Sequence, residues 1–435
     1  MNIVDNKFIL IIIFSVVFST WGFVGDILLL SQVLLLAAFY LYVLSITDLF
    51  SLTYNINRFL CYCLLCLVFI SYIIISAINS SFNWNISSGS FQQLEHIRFL
   101  PSTVSSDVTI TKLPFLFLMV GCILPITYHF VRDEMLEFLK IVVVVNAIIL
   151  CIVGLFVKFV GVDKMLGFII PPEGTERYFF STFTYKNHWS IYLILCFCCA
   201  LGLLRDNMHY SYRYVRFVVL IGILIFPVSI ILSGSRSCSL IIAVLLFPAV
   251  YSYFDYINNL RRLALSLVLP LIVLVIGLFS IQENYNEIVN TTKIYYDSFV
   301  DKNSSTRIIL IRDTWKMFLE SPIFGWGLGS FELVFNYYEG GVFRSSDHDE
   351  SHYYVYAHND ILQMLSEIGI FGFSLLILIY LYPIYQLNQF CMRNKWITVG
   401  LIIVLLYSFV EFPFRTPAVA LLFCVLYGSN FKVRP

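Results

Sequence analysis

Three residues of this sequence combine a charge or a titratable ring with a position at the edge of an apolar run. Arg236 lies within Ser233-Gly234-Ser235-Arg236-Ser237, Arg307 opens an amphipathic stretch, and His358 directly precedes an apolar segment. A guanidinium binds phosphate oxygens through paired hydrogen bonds, and a histidine can accept a proton near neutral pH. An arginine near a membrane can also simply extend toward water. We predict that Arg236 and Arg307 bind an anion and that His358 is catalytic.

Polar neighbours strengthen the prediction for His358, since a lone histidine is more often structural. Asn359, Asp360 and Gln363 follow it at the start of the same apolar run. A base needs groups nearby that orient it and its substrate. We therefore predict that His358 takes a hydroxyl proton and that Asn359 contacts substrate.

A second arginine follows Arg307 on the same amphipathic stretch. Arg312 is five residues further on, which places it about 140° round an α-helix from Arg307. The two side chains therefore cannot face one ligand. We assign the anion to Arg307 and expect Arg312 to be solvated or salt-bridged.

Another polar group begins a different apolar run. Lys186, Asn187 and His188 are consecutive there, and we predict contacts with donor or acceptor, the alternative being an interfacial anchor. Arg177 and Arg415 are further predicted substrate contacts. Glu411 is a weaker candidate near the same edge of the chain.

One acidic segment, Asp347-His348-Asp349-Glu350-Ser351-His352, could suggest a metal site. Its histidines are four residues apart, but the glutamate does not follow the first histidine as the zinc helix H-E-x-x-H requires. We interpret it as a solvated acidic turn. The cysteines lie mostly in apolar runs and are interpreted as small buried residues. We predict neither a metal nor a cofactor.

Composition places these residues in a membrane protein. Hydrophobic residues make up 59% of the 435 residues and charged residues only 12%, against about a quarter in soluble domains. The 27 basic and 27 acidic residues cancel, so bulk charge implies no nucleic acid partner. A membrane-spanning helix needs about 20 mostly apolar residues. Twelve segments qualify: 7–24, 27–47, 58–78, 113–131, 138–158, 187–204, 215–233, 237–254, 262–281, 361–386, 396–412 and 416–431.

Basic residues give an orientation to these segments. Alternate connections are rich in lysine and arginine, as the cytoplasmic ends of membrane helices are. The pattern predicts a multi-pass bacterial inner-membrane protein, all-α, with both termini cytoplasmic. It also predicts one domain over 1–435 whose longest outer segment, 282–360, is partly helical, lies between the ninth and tenth helices and carries part of a periplasmic site.

The stronger candidates all fall on the outer side under this orientation. Two arginines and a histidine there suit an anionic leaving group and a hydroxyl acceptor, as in a sugar carried on a polyprenyl diphosphate. Arginines would stabilise charge on the departing diphosphate. A twelve-helix transporter or lipid-linked oligosaccharide flippase is the alternative, but transporters place polar residues near the bilayer midplane. A membrane scaffold is a further alternative.

Four short pieces resemble the O-antigen ligase/polymerase superfamily of membrane glycosyltransferases over roughly residues 180–430. They are Ser181-Thr182-Phe183-Thr184-Tyr185-Lys186-Asn187-His188; Ser233-Gly234-Ser235-Arg236; Arg307 through Trp315 with Gly325-Trp326-Gly327; and His358-Asn359 with Gly369 and Gly372. The resemblance implies a GT-C-like membrane fold and a metal-independent glycosyltransferase using undecaprenyl-diphosphate-linked glycan. It also implies diphosphate contacts from Arg236 and Arg307 and activation of the acceptor by His358.

The resemblance leaves two branches open. The ligase branch is described by H-[NSQ]-x9-G-x-x-G followed by two threonines, which His358, Asn359, Gly369 and Gly372 fit, but Phe373-Ser374 replace the threonines. A ligase joins finished polysaccharide to lipid A-core, and a polymerase joins repeat units on the carrier lipid. The His358 motif favours the ligase. Expected partners are the lipid-linked donor, a glycan or lipid A-core acceptor and membrane lipids.

Overall fold

The structure, a computed structural model, describes nine stretches of the chain: 16–21, 56–85, 90–131, 133–171, 179–206, 213–253, 306–338, 354–385 and 393–431. Several sequence-based predictions lie outside these residues. They are the segments 27–47 and 262–281, most of 7–24, Arg177, the acidic segment 347–352, and the parts of 282–360 before 306 and between 338 and 354.

Helices dominate the stretches that the structure describes. They are α1 (Ile56–Ile78), α2 (Ser106–Leu116), a π-helical turn (Phe117–Ile123), α3 (Leu124–Phe130), α4 (Asp133–Val160), α5 (Lys186–Asp206), α6 (Arg213–Ser233), α7 (Arg236–Tyr253), α8 (Thr306–Glu320), α9 (Phe331–Phe335), α10 (Asp360–Tyr385), α11 (Lys395–Tyr407), a 3-10 turn (Pro413–Arg415) and α12 (Pro417–Asn430). Strands β1 (Phe82–Asn85) and β2 (Ser90–Gln93) pair antiparallel. Apart from this short hairpin the described elements are helices, which is consistent with the predicted all-α membrane protein.

Six helices in the described ranges are long and apolar enough to cross a bilayer. They are Arg58–Ile78, Ser106–His129, Asp133–Val160, Lys186–Leu204, Val215–Ser233 and Asp360–Tyr385. Three shorter apolar helices, Arg236–Tyr251, Lys395–Tyr407 and Pro417–Asn430, coincide with further predicted segments. The total of twelve stays a prediction.

One predicted span begins earlier than its hydropathy suggested. The segment 113–131 is the second part of a helix that starts at Ser106, where the Ser105 side chain accepts a hydrogen bond from the Val108 N–H. A serine cap with Asp107 in the first turn stabilises a helix N-terminus. Capping therefore extends this helix beyond its apolar run.

The central helix of the bundle is α5. Its residues from Trp189 to Leu203 are almost wholly buried, including Cys196, Cys198 and Cys199. It packs against α4, α6, α11 and α12. A membrane helix surrounded by others needs small residues where backbones approach, and the Cβ that Gly400 of α11 lacks would lie 3.0 Å from the Cys198 Cβ.

The described helix ends form two groups. At one end Arg393 donates to the carbonyls of Val131 and Ser429, and Tyr382 donates to the carbonyl of Arg58. Helix α11 starts next to Arg393 and ends shortly before Glu411, which contacts Asn187 and His358. The N-termini of α5 and α10, and the Ser235 turn before α7, therefore lie at the opposite end. The candidate site residues lie at that opposite end. Which side of a membrane each end faces stays a prediction.

Helix α8 matches the predicted amphipathic stretch and packs along the first half of α10. The turn after α8 is bonded to α10 by Trp326 N–H to the Ser366 carbonyl (3.0 Å) and Gly327 N–H to the Glu367 carbonyl (2.7 Å). Gly369 interrupts α10 with φ 64°, and a Cβ there would lie 2.3 Å from the Ile323 carbonyl oxygen. Only glycine fits this left-handed, close approach.

The exposed surface of α8 divides into an apolar and a charged stripe. The apolar stripe consists of Ile308, Ile311, Trp315 and Leu319, which are all exposed. Arg312, Lys316 and Glu320 form the neighbouring charged stripe. A helix with one apolar and one charged exposed face is typical of a membrane surface. Helix α8 thus has one face packed against α10, one exposed apolar stripe and one exposed charged stripe.

Candidate functional site

Glu411 lies between α11 and the 3-10 turn, and its carboxylate contacts residues from three other parts of the chain. Its Oε1 accepts from the Arg307 guanidinium (2.5 Å) and from the Asn187 amide (2.9 Å). Its Oε2 is 3.2 Å from the His358 Nδ1. The Glu411 side chain is only 2% exposed. A carboxylate buried this deeply needs such partners because burial without them is costly.

The His358 ring is oriented from two sides. Its Nδ1 faces Glu411, and its face meets the edge-on ring of Phe412 with centroids 4.8 Å apart. A carboxylate only accepts hydrogen bonds, so Nδ1 carries the proton and Nε2 of the neutral ring holds the lone pair. The side chain is 25% exposed. His358 can therefore receive a proton from a group that approaches Nε2.

The backbone at His358 is strained. Its φ is 51°, in the left-handed region that residues other than glycine rarely occupy. The next residue, Asn359, accepts a hydrogen bond from the Leu362 N–H (2.9 Å) and so caps α10. Strain of this kind costs roughly 1–3 kcal/mol and concentrates at functional sites. The cap accounts for Asn359, whose predicted contact with substrate stays a prediction.

Arg307 stands in the first turn of α8, and its side chain is 54% exposed. The helix N-terminus carries a partial positive charge that adds to that of the guanidinium. Glu411 accepts a hydrogen bond from the Nη2 group of the guanidinium. Arg312 instead pairs with Asp313 (3.0 Å), which confirms that it is salt-bridged.

A cationic cluster lies beside this centre. Arg236 is exposed and makes no hydrogen bond or ion pair with the residues that the structure describes. It lies close enough to Lys186 to repel it, as Lys158 does. The Lys186 Nζ is 3.7 Å from where a Cβ on Gly234 would stand. Three cationic groups drawn from α4, α5 and α7 suit a polyanion.

The turn between α6 and α7 is tied to the centre through Asn187. The Ser235 hydroxyl donates to the Asn187 Oδ1 (2.7 Å), and the Asn187 amide donates to Glu411 and to the Tyr185 hydroxyl (2.9 Å each). Arg236 follows Ser235 directly. The chain of hydrogen bonds therefore leads from the Arg236 turn to Arg307 and His358.

His188 lies behind the site rather than in its opening. Its side chain is buried, its ring meets Phe412 edge-on at 4.8 Å, and its Nε2 has no hydrogen-bond partner. Phe412 also stacks on Tyr185 and Tyr356. Phe412 therefore contacts the rings of Tyr185, His188, Tyr356 and His358. Contact between His188 and substrate stays a prediction.

Arg415 is engaged in a buried ion network. Its guanidinium contacts Asp360 (3.2 Å) and Glu367 (3.3 Å), both nearly unexposed. Glu367 also accepts from the Gln363 amide and the Gly329 N–H. Burial acts to lower the pKa of Arg415, but the two carboxylates outweigh it and the pKa is raised. The geometry gives Arg415 a structural role, and substrate contact stays a prediction.

Replacing Arg415 with alanine should destabilise the protein. The change leaves Asp360 and Glu367 buried without their cation, which costs about 3–5 kcal/mol. Adding Glu367→Gln to Arg415→Ala should recover part of the loss, because one buried negative charge is removed. Thermal unfolding in detergent, followed by tryptophan fluorescence, measures both. If Arg415→Ala alone were as stable as wild type, the ion network would not have a structural role.

The structure brings together Arg307, His358, Asn187 and the turn carrying Arg236, but Arg177 lies outside the described residues. Sequence reasoning ranked Glu411 low and missed Lys158. A glutamate between two apolar segments is costly unless paired, and that signal could have raised its rank. No group of three histidine, cysteine, aspartate or glutamate residues in the described ranges is arranged to hold a metal ion.

Comparison with known proteins gives two matches. Residues 217–377 match the family described as O-antigen ligase. The chain is also similar to the teichuronic acid biosynthesis protein TuaE of Bacillus subtilis (strain 168), at 26% identity over 240 residues, covering 53% of this chain and 46% of that relative. The chain thus spans about half the length of this curated relative. Arg236, Arg307 and His358 all lie inside the family match, so the region that carries these three residues is similar to the O-antigen ligase family.

Proposed function

We propose that this protein transfers a glycan from undecaprenyl diphosphate to an acceptor hydroxyl and that it is an O-antigen ligase whose acceptor is lipid A-core. One observation carries the proposal: Arg307 and His358, an anion-binding group and a base, meet on the same carboxylate of Glu411. The similarity of residues 217–377 to the O-antigen ligase family supports it. The site would lie on the periplasmic face of the inner membrane, with both termini cytoplasmic.

The proposed transfer needs no metal ion to account for its bonds and its proton. The acceptor oxygen forms a bond to the anomeric carbon while the bond from that carbon to the diphosphate oxygen breaks. The electron pair of the broken bond leaves with the diphosphate, and the acceptor proton passes to the His358 Nε2. Preorganised cations stabilise the charge that develops on the leaving group. Arg236 and Arg307 supply this stabilisation in the proposal, with Lys186 as a further donor contact.

The surroundings of Arg307 support a lipid-carried donor. The apolar stripe of α8 starts one residue after Arg307 and runs along the helix toward Ile323, which is also exposed. The Ile323 carbonyl accepts from the Phe371 N–H on α10, and Phe371 is an exposed apolar residue of a candidate membrane span. Exposed apolar surface thus runs from α10, a candidate membrane span, along α8 to Arg307. A diphosphate with a polyprenyl tail would require such a surface for its tail.

A polymerase that extends glycan on the carrier lipid is the second candidate. Two observations favour it: Phe373-Ser374 replace the threonines of the ligase motif, and the similar Bacillus protein is named for teichuronic acid biosynthesis. Both candidates use the same donor head group. Only the acceptor distinguishes them.

A deletion strain complemented with the wild-type gene tests the proposal. Lipopolysaccharide and carrier-lipid glycans are extracted from both strains and separated by gel. Long chains on carrier lipid with bare lipid A-core in the deletion strain would support the ligase. Lipid A-core bearing single repeat units would support the polymerase. Unchanged glycans in the deletion strain would contradict both.

A further inference from the structure

We propose that Glu411 is a positioning residue that makes activation of the acceptor depend on a bound donor. While the donor site is empty, Glu411 is paired with Arg307. Once a bound diphosphate has taken Arg307 as its partner, His358 is the remaining titratable partner of Glu411. The inference rests on the proposed function and deepens it. It assigns an order to the two substrates, donor first and acceptor second.

The two oxygens of Glu411 have different partners. Oε1 takes the charged Arg307 and the neutral Asn187 amide, and Oε2 takes His358. With Arg307 in place, its positive charge neutralises the carboxylate. A neutralised carboxylate gives little stabilisation to the imidazolium that forms when a histidine accepts a proton. In catalytic triads an unneutralised carboxylate provides that stabilisation.

The position of Arg307 allows its side chain to move away from Glu411. Its side chain is half exposed while Glu411 is buried, so the arginine reaches in from the solvent side. A diphosphate offers more negative charge than one carboxylate, and a planar guanidinium binds phosphate bidentately. The neighbouring cations Lys186 and Arg236 would draw the diphosphate to this position. Exchange of Arg307 from carboxylate to phosphate is therefore favourable when donor binds.

Glu411 keeps a hydrogen bond from an uncharged donor when Arg307 moves away. The Asn187 amide still donates to Oε1, held by Ser235 and near the Tyr185 hydroxyl. The nearby Arg415 is committed to Asp360 and Glu367 and does not replace Arg307. The buried ring of His188 meets Phe412 edge-on. His358 becomes the cationic partner of Glu411 as it takes the acceptor proton.

The variant Glu411→Gln separates this role from a purely structural one. Without the competing carboxylate, Arg307 is available to phosphate, so binding of undecaprenyl diphosphate without sugar should be as tight as in wild type or several-fold tighter. Glycan transfer in membranes of the complemented deletion strain should fall about 100-fold, within the range for loss of base assistance. The variant Glu411→Asp keeps the charge but shortens the reach. It should bind undecaprenyl diphosphate like wild type and transfer at an intermediate rate.

The matched control is Glu332→Gln, which removes a carboxylate from an exposed position on α9 and should change neither quantity. Size-exclusion profiles in detergent report folding, and Glu411→Asp decides the matter if Glu411→Gln does not fold. Parallel loss of donor binding and transfer in the folded variant would overturn the inference, as would transfer at the wild-type rate. If Arg307→Ala and His358→Ala also transferred normally, the proposed function itself would fail.

Discussion

Replacing His358 with alanine is expected to lower glycan transfer by roughly 10²–10⁴-fold, the range that general-base assistance contributes. The reason is the orientation of its ring, with Nδ1 on Glu411 and Nε2 left to receive the acceptor proton. Binding of undecaprenyl diphosphate should remain near wild type because His358 does not contact the donor cations. Single-turnover transfer in detergent, with binding measured separately, tests both expectations.

Two further variants separate loss of the base from loss of folding. His358→Asn removes the base, and asparagine tolerates the left-handed backbone that His358 adopts at φ 51°. It should lose transfer as alanine does. His96→Ala changes a histidine outside the site and should transfer normally. Wild-type transfer by both His358 variants would show that another group takes the proton.

Replacing Arg307 with alanine should be the second largest effect. Removing one preorganised donor to a developing oxyanion costs about 10²–10³-fold in rate. Affinity for undecaprenyl diphosphate should fall as well, since the helix N-terminus loses its neighbouring cation. Arg307→Lys keeps the charge without the planar fork and should recover only part of the loss. Transfer rates and binding of undecaprenyl diphosphate measure these changes.

Arg312→Ala is the matched control for Arg307 because it removes an exposed arginine from the same helix. Arg312 is paired with Asp313, which keeps Lys316 as a second partner at 2.9 Å. Transfer should therefore stay near wild type. Equal losses for the two variants would indicate a general effect of charge on α8 rather than a specific anion contact at Arg307.

The described helices were largely predictable from the sequence. Apolar runs long enough to cross a bilayer are a local property, so hydropathy located six candidate spans and three shorter apolar helices. The amphipathic stretch that carries Arg307 and Arg312 was also predicted, and it forms the helix Thr306–Glu320. The early start of α2 and the hairpin Phe82–Gln93 were missed, because capping and strand pairing leave a weak signal beside long apolar runs.

Arg307 and His358 could be recognised as unusual from the residues alone, because a charge or an imidazole at the edge of an apolar segment is costly wherever the chain folds. That they share one carboxylate is a consequence of the fold. Glu411 lies 224 residues from Asn187, 104 from Arg307 and 53 from His358. Such contacts depend on how helix ends pack, for example through the close approach that Gly369 permits to Ile323. No local pattern of residues records that packing, so the centre of the site emerged only with the fold.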